Sequence, residues 1–188
     1  MKTSSNKQPD KDTKTRIMDS AERAIVQSGY GAFSFRDIAE EIGIKSASVH
    51  YHYPTKGDLA VAVMTRFTDE FRALLPDPKV ASIDPRAMLD GFIDGFKKKI
   101  VEQHNMSLCT MLTADKHLLP ESVGVALAEF YEVKLSWLTQ VFVRLNNLDE
   151  DQARLKAGQL LASLHGASVL VQATGEVDWY EKALSLWR

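Results

Sequence analysis

Apolar residues recur along this chain at intervals of three and four, and runs that alternate every second residue are nearly absent. Over residues 13–28, Ile17, Ala21, Ala24, Ile25 and Ser28 share one side of a 3.6-residue helix with charge opposite, and Gly29 follows as a left-handed stop. Ser34 and Asp37 then form a Ser-x-x-Asp capping arrangement, which predicts a helix start because both side chains satisfy backbone groups lacking intrahelical partners. Phe35, Ile38, Ala39 and Ile42 make the buried stripe of that helix, Gly43 ends it, and Ile44 tucks under the turn. A third helix is predicted over 46–53, closed by Pro54, which cannot continue it. Thr55, with Asp58 three residues on, opens a long fourth helix to about Leu75. Its inner side carries Leu59, Ala62, Val63, Phe67 and Phe71, and Pro76 and Pro78 break it.

The rest of the chain follows the same pattern. Asp84-Pro85, a cap followed by proline at the first helical position, opens a helix to about Gln103. A short helix is expected over 106–115. A long one runs from Pro120 to about Leu145, closed by Asn146-Asn147. Asp149, with Gln152 three on, opens another to Thr174 and Gly175, and the last covers about 177–186. No Asn-Gly hairpin turn interrupts them. The expected fold is therefore all-α, with about nine helices behind a flexible polar arm over residues 1–12.

Composition narrows the class. With 188 residues and 45% hydrophobic content, the chain can build a real core, which excludes disorder for most of it. One cysteine excludes an internal disulfide and Cys-rich zinc sites, and it fits a reducing, cytoplasmic setting. No run of 18 apolar residues predicts a membrane span, and the first 16 residues lack the apolar core of a secretory signal. The net charge of −2 conceals an asymmetry. Residues 1–66 hold ten Lys/Arg against eight Asp/Glu, whereas 67–188 hold thirteen against seventeen, so the front end suits a polyanionic partner. No zinc spacing, phosphate-cradling glycine loop or His-Glu-x-x-His motif is present; no metal or cofactor is expected, and nothing suggests an enzyme.

Two short helices joined by a glycine-containing turn, packed on a preceding helix, make a helix-turn-helix over residues 13–55. In its second helix Val49 and Tyr53 face inward, leaving Lys45, Ser46, Ala47, His50 and Tyr51 outward, where they can touch base edges, thymine methyls and phosphates. The run Phe35-Arg36-Asp37-Ile38-Ala39-Glu40-Glu41-Ile42-Gly43-Ile44, then Val49-His50-Tyr51-His52-Tyr53-Pro54-Thr55-Lys56-Gly57-Asp58-Leu59, resembles the DNA-binding domain of the TetR (tetracycline-repressor) family. The family commonly has Tyr where His50 stands, a departure that bears on base preference. The resemblance implies base or groove contacts at Lys45, Ser46, Ala47, His50 and Tyr51, and phosphate contacts at Ser34, Ser48, His52 and Lys56. Plainer roles stand beside these: Ser34 caps a helix with or without DNA, and His52 can bridge helices.

The resemblance also implies that residues 56–188 bind a ligand and dimerise, so that a homodimer reads a near-palindromic double-stranded DNA operator and an unknown small-molecule inducer releases it. Independently, residues 160–171 are apolar nearly all round, and a helix of that kind needs burial on several faces. Candidate cavity residues are Phe92, Phe96, Met106, Cys109, Met111, Phe130 and Trp137, with His117, Tyr131 and Phe142 as further candidates; plain core packing is the alternative for each. Cys109, at the start of the sixth helix, resembles the thiol of a TetR subgroup that reacts with electrophiles or oxidants; its alternative is a small buried hydrophobe. Lys97-Lys98-Lys99 reads as a solvated face, and His165 as a hydrogen-bonded core residue. Two rivals of other classes remain, a small helical enzyme and a ligand-independent architectural factor.

Overall fold

The computed structural model describes residues 12–102 and 106–188, apart from the Glu102 side chain. Of the predicted polar arm, residues 1–11 lie outside the described residues. Asp12 caps the first helix, its carboxylate accepting the Thr15 N–H at 3.0 Å. All regular structure among the described residues is helical: α1 (Thr13–Ser28), α2 (Phe35–Ile42), α3 (Ser46–His52), α4 (Lys56–Leu74), α5 (Pro85–Lys97), α6 (Leu108–Ala114), α7 (Glu121–Asn146), α8 (Glu150–Thr174) and α9 (Asp178–Leu184).

The predicted caps hold. Ser34 accepts from Asp37 N while Asp37 accepts from Ser34 N, and Thr55 and Asp58 repeat the arrangement at α4. Asp84 and Asp149 cap α5 and α8. Each such cap stabilises its helix by about 0.5–2 kcal/mol relative to alanine. Gly43 is left-handed at φ 70°, and the next N–H, of Ile44, returns to the Ala39 carbonyl at 2.9 Å, which sets the tight turn into α3.

Three details differ from the pattern. In α1 Ser28 is exposed and Ser20 is buried instead, because its hydroxyl donates to Glu41 at 2.6 Å, tying α1 to α2. The long helix expected to reach about Gln103 runs as α5 to Lys97 and then widens into one turn over Lys98–Glu102, with Ile100 buried on it, and Gln103 lies outside the described residues. Short 3₁₀ turns at Tyr30–Ala32 and Lys116–Leu118, too brief for periodicity to register, join α1 to α2 and α6 to α7.

Two apolar clusters hold the molecule together. The first joins α1, α2, α3 and most of α4 to Leu108 and Leu112 of α6 and Val123, Leu127 and Phe130 of α7. The second joins α5, the C-terminal half of α7, α8 and α9. Burying each large aliphatic or aromatic side chain contributes about 1.5–3 kcal/mol. Phe71 of α4 packs on both clusters, so α4 runs from the helix-turn-helix into the body. Arg66 fastens α4 to α1 through Asp19 and Glu22, both at 2.7 Å.

Candidate nucleic-acid interface and ligand cavity

The helix-turn-helix presents α3 as the sequence predicts. Val49 is fully buried and Tyr53 nearly so, and both anchor the inner side. Lys45, Ala47, His50 and Tyr51 are exposed, with Ser46 half-buried at the helix start. Tyr51 is 84% exposed, and the His50 ring sits edge-on to Phe35 at 4.6 Å, which fixes its direction. Residues 45–53 carry Lys45, His50 and His52 and no acidic group. This face can insert into a groove without presenting a carboxylate to phosphate.

The flanking residues are more committed. The Ser34 hydroxyl donates to Asp37 at 2.7 Å, and its hydrogen bonds hold the Asp37 carboxyl below the usual carboxylate range. Ser48 and His52 are half-buried, and the His52 ring lies edge-on to Tyr51 at 5.3 Å. The Lys56 ammonium lies over the rings of Phe33 and Tyr30, at 4.3 and 4.6 Å, and donates to the Gly31 carbonyl at 3.5 Å. Burial pushes its pKa down, and Asp115 and Asp37 pull it back up. Lys56 thus braces the α1–α2 turn.

That turn is also gripped from the body. The Tyr30 N–H donates to Asp115, just past the end of α6, at 2.6 Å. Gly57 in the first turn of α4 packs beneath Pro120. The α6–α7 connection therefore touches both the α1–α2 turn and the start of α4.

Within the body lies a cavity of about 340 Å³, walled by α4, α5, α6, α7 and one residue of α8. Phe92, Phe96, Cys109, Phe130 and Trp137 line it, and Phe92 stacks on Trp137 at 5.4 Å. Met106 lines a separate surface recess beside Glu22 and Arg23, and Met111 packs against the first apolar cluster. His117 is exposed, and Phe142 sits in the second cluster against Trp187. Tyr131 borders His165 at 5.5 Å between ring centres.

Sequence reasoning missed the charged part of the wall. Lys134 of α7 is 2% exposed, and its ammonium is 3.9 Å from the Cys109 sulfur. Burial pushes its pKa down, Cys109 pulls it back up, and Lys99 pushes it further down. Lys99 also reaches the wall, its ammonium 4.9 Å from the Phe67 ring, so the lysine run is not merely a solvated face. His165 keeps to the core: Nδ1 is 3.4 Å from the Thr110 hydroxyl, Nε2 has no partner among the described residues, and burial with Lys134 pushes its pKa down to about 4. The imidazole is therefore neutral at pH 7. Burial pushes the Tyr131 phenol up to about 12.

A helix-turn-helix with an open reader face, joined through α4 and α6 to a hollow helical body, defines a DNA-binding regulator. The family model described as "Bacterial regulatory proteins, tetR family" matches residues 17–63. A TetR transcriptional regulator from Legionella pneumophila is 33% identical, covering 97% of each chain with a TM-score of 0.85. A TetR-family regulator from Agrobacterium tumefaciens is 26% identical over 93% of this chain and 94% of that one, with a TM-score of 0.81. The HTH-type transcriptional repressor KstR2 of Rhodococcus jostii (strain RHA1) is 25% identical over 92 residues. That match takes in 49% of this chain and 45% of KstR2, so the chain spans just under half the length of that relative. The chain belongs to the TetR family of transcriptional regulators.

Proposed function

We propose that the protein is a homodimeric repressor that grips a near-palindromic operator with α3 of each subunit and lets go when a small molecule fills the cavity. The observation that carries the DNA reading is Tyr51, 84% exposed on the outward face of an acid-free helix that is held rigidly by Val49. A large ring in that position contributes nothing to the subunit's own core, and it suits base edges or thymine methyls. Residues 13–55 serve as the reader and 56–188 as the ligand-binding and dimerising part. Lys45, Ser46, Ala47, His50 and Tyr51 meet the groove, and Ser34, Ser48, His52 and Lys56 meet the backbone. For Lys56 this requires leaving its ring faces, and for Ser34 turning its hydroxyl from Asp37. Work on operator DNA puts the protein in the cytoplasm.

The test is a gel-retardation assay with DNA flanking the protein's own gene. Tyr51→Ala should lose about 1–3 kcal/mol of specific binding, while random DNA is bound nearly as before. Equal losses on both DNAs would remove Tyr51 from base contact.

Release follows from the wiring of the cavity. Its walls include Phe67 and Phe71 of α4, the helix that begins at the reader, and Cys109 of α6, the helix that ends at the Asp115 grip. A ligand that favours a different α4–α6 arrangement shifts the population toward a spacing that no longer fits the operator.

A second reading rests on Cys109, which touches the cavity with Lys134 at 3.9 Å and the Ser107 hydroxyl at 3.0 Å. Here the sulfur adds to an electrophilic carbon such as a quinone ring position, an S–C bond forms, and the thiol proton ends on the reduced ring. Under this reading a quinone releases wild-type protein from DNA and leaves Cys109→Ser bound. Equal release of both proteins sinks the thiol reading and leaves the ligand-released repressor standing.

A further inference from the structure

The cavity's charge is unbalanced. Among the described residues its wall contains two lysines, Lys99 and Lys134, and no aspartate or glutamate. Lys134 is the informative one. Its ammonium is almost wholly buried, and no described carboxylate pairs with it. What surrounds it is the Cys109 sulfur at 3.9 Å and ring faces: Phe130 at 4.3 Å, Phe96 at 4.7 Å, Tyr131 at 5.4 Å and Phe71 at 5.6 Å. Ring faces attract a cation but do not replace the hydrogen bonds its three N–H groups lose on leaving water. A buried ammonium of this kind is held at a cost unless an anion joins it.

We infer that the cavity takes an organic monocarboxylate, its head on the Lys134 ammonium and its apolar body along Phe92, Phe96, Phe130 and Trp137. This rests on the reading of the cavity as the effector site and names the chemistry of the effector. The polar atoms for such a head converge. The Ser107 and Thr110 hydroxyls are on the same wall, 2.8 Å from each other, and Ser107 is 3.0 Å from the Cys109 sulfur. A carboxylate has two oxygens, so one can accept from Lys134 while the other takes a hydroxyl. Size limits the body. At about 340 Å³, the cavity lies near the lower end of the roughly 300–1,000 Å³ of small-molecule pockets, which favours a small body. That suits an aryl-alkanoic or medium-chain aliphatic acid. Organic cations are disfavoured because Lys134 already occupies the ring faces and repels a second positive charge. Neutral ligands of the same shape leave the ammonium without a counter-charge.

The experiment uses the full-length protein at pH 7 with benzoate, 4-phenylbutyrate and octanoate, each against its primary amide, by calorimetry. Wild type should bind at least one acid at least tenfold more tightly than its amide. Lys134→Met, which keeps the volume and removes the charge, should bind acid and amide alike. Lys134→Gln serves the same comparison if the Met variant does not fold by circular dichroism. An acid preference that survives removal of the charge overturns the inference, as do amides that match the acids in wild type or acids that do not bind at millimolar concentration. The gel-retardation assay separates the two levels. Specific DNA retention without any acid binding sinks only the carboxylate, whereas failure to retain DNA sinks the regulator reading itself.

Discussion

Placing glutamate at both Ala162 and Gly166 is expected to leave the protein monomeric and to weaken its hold on a full operator by about 10²–10⁴-fold, the usual gain from joining two binding modules. The argument starts from α8. Leu160, Leu161, Leu164, Ala167 and Val171 are buried on the inner side of this helix, as its near-continuous apolar character requires. The opposite side is apolar as well. Leu155, Ala162, Gly166, Val169 and Leu170 are exposed at helical spacing, and Leu155 is 66% exposed. A stripe of small residues flanked by exposed aliphatics allows two helices to approach closely, and a two-fold axis there would pair the stripe with itself. The variants leave the subunit intact, because nothing lies within 4 Å of a Cβ built on Gly166 and Ala162 is exposed. Glutamate is also a better helix former than glycine. Four like charges brought together in the dimer would oppose association. Sedimentation velocity and retardation of full and half operators provide the measurement. A double variant that sediments as a dimer would remove α8 from the interface.

The parts of this molecule that sequence made legible are those whose physics is local. Caps work within three residues, so Ser34 with Asp37, Thr55 with Asp58, and Asp149 with Gln152 announce their helices directly. The inward Val49 and outward Tyr51 follow from helical period within one short element. The cavity was legible only in part, because which aromatic faces it depends on where α4, α5 and α7 cross. Phe92, Phe96, Phe130 and Trp137 converge, whereas Met106 and Met111, chosen on the same grounds, point elsewhere. Lys134 was invisible for the opposite reason. Lysine usually marks a solvated position, and its burial arises from the aromatic rings of α4, α5 and α7 that surround it. The Asp115 grip on Tyr30 spans 85 positions, and no local pattern encodes it.

That grip yields the other large effect. Gly29→Ala should lower the melting temperature by roughly 5–15 °C, at about 2–4 °C per kcal/mol for a chain of this size. Gly29 has φ 84° and ψ 172°, a backbone region essentially reserved for glycine, and holding alanine there costs about 1–3 kcal/mol. Space is lacking too. A Cβ at Gly29 would lie 2.4 Å from an Asp115 carboxylate oxygen, the same oxygen that accepts the Tyr30 N–H. Moving that carboxylate aside leaves the N–H without its acceptor, a further loss of about 1–3 kcal/mol if water does not replace it. Gly31→Ala is the matched comparison, since its Cβ would meet only Leu118 at an ordinary 3.5 Å and its φ is not positive. Thermal melts of the two variants separate a conformational demand from general crowding in the turn, and a Gly29→Ala melt within a degree of wild type would falsify the account. The same joint makes Asp115 the test of coupling. Asp115→Ala frees α6 from the turn without touching the cavity wall or α3, so an effector should still bind while its effect on operator affinity shrinks. Full release with this variant would move the transmission of the signal from α6 to α4 alone.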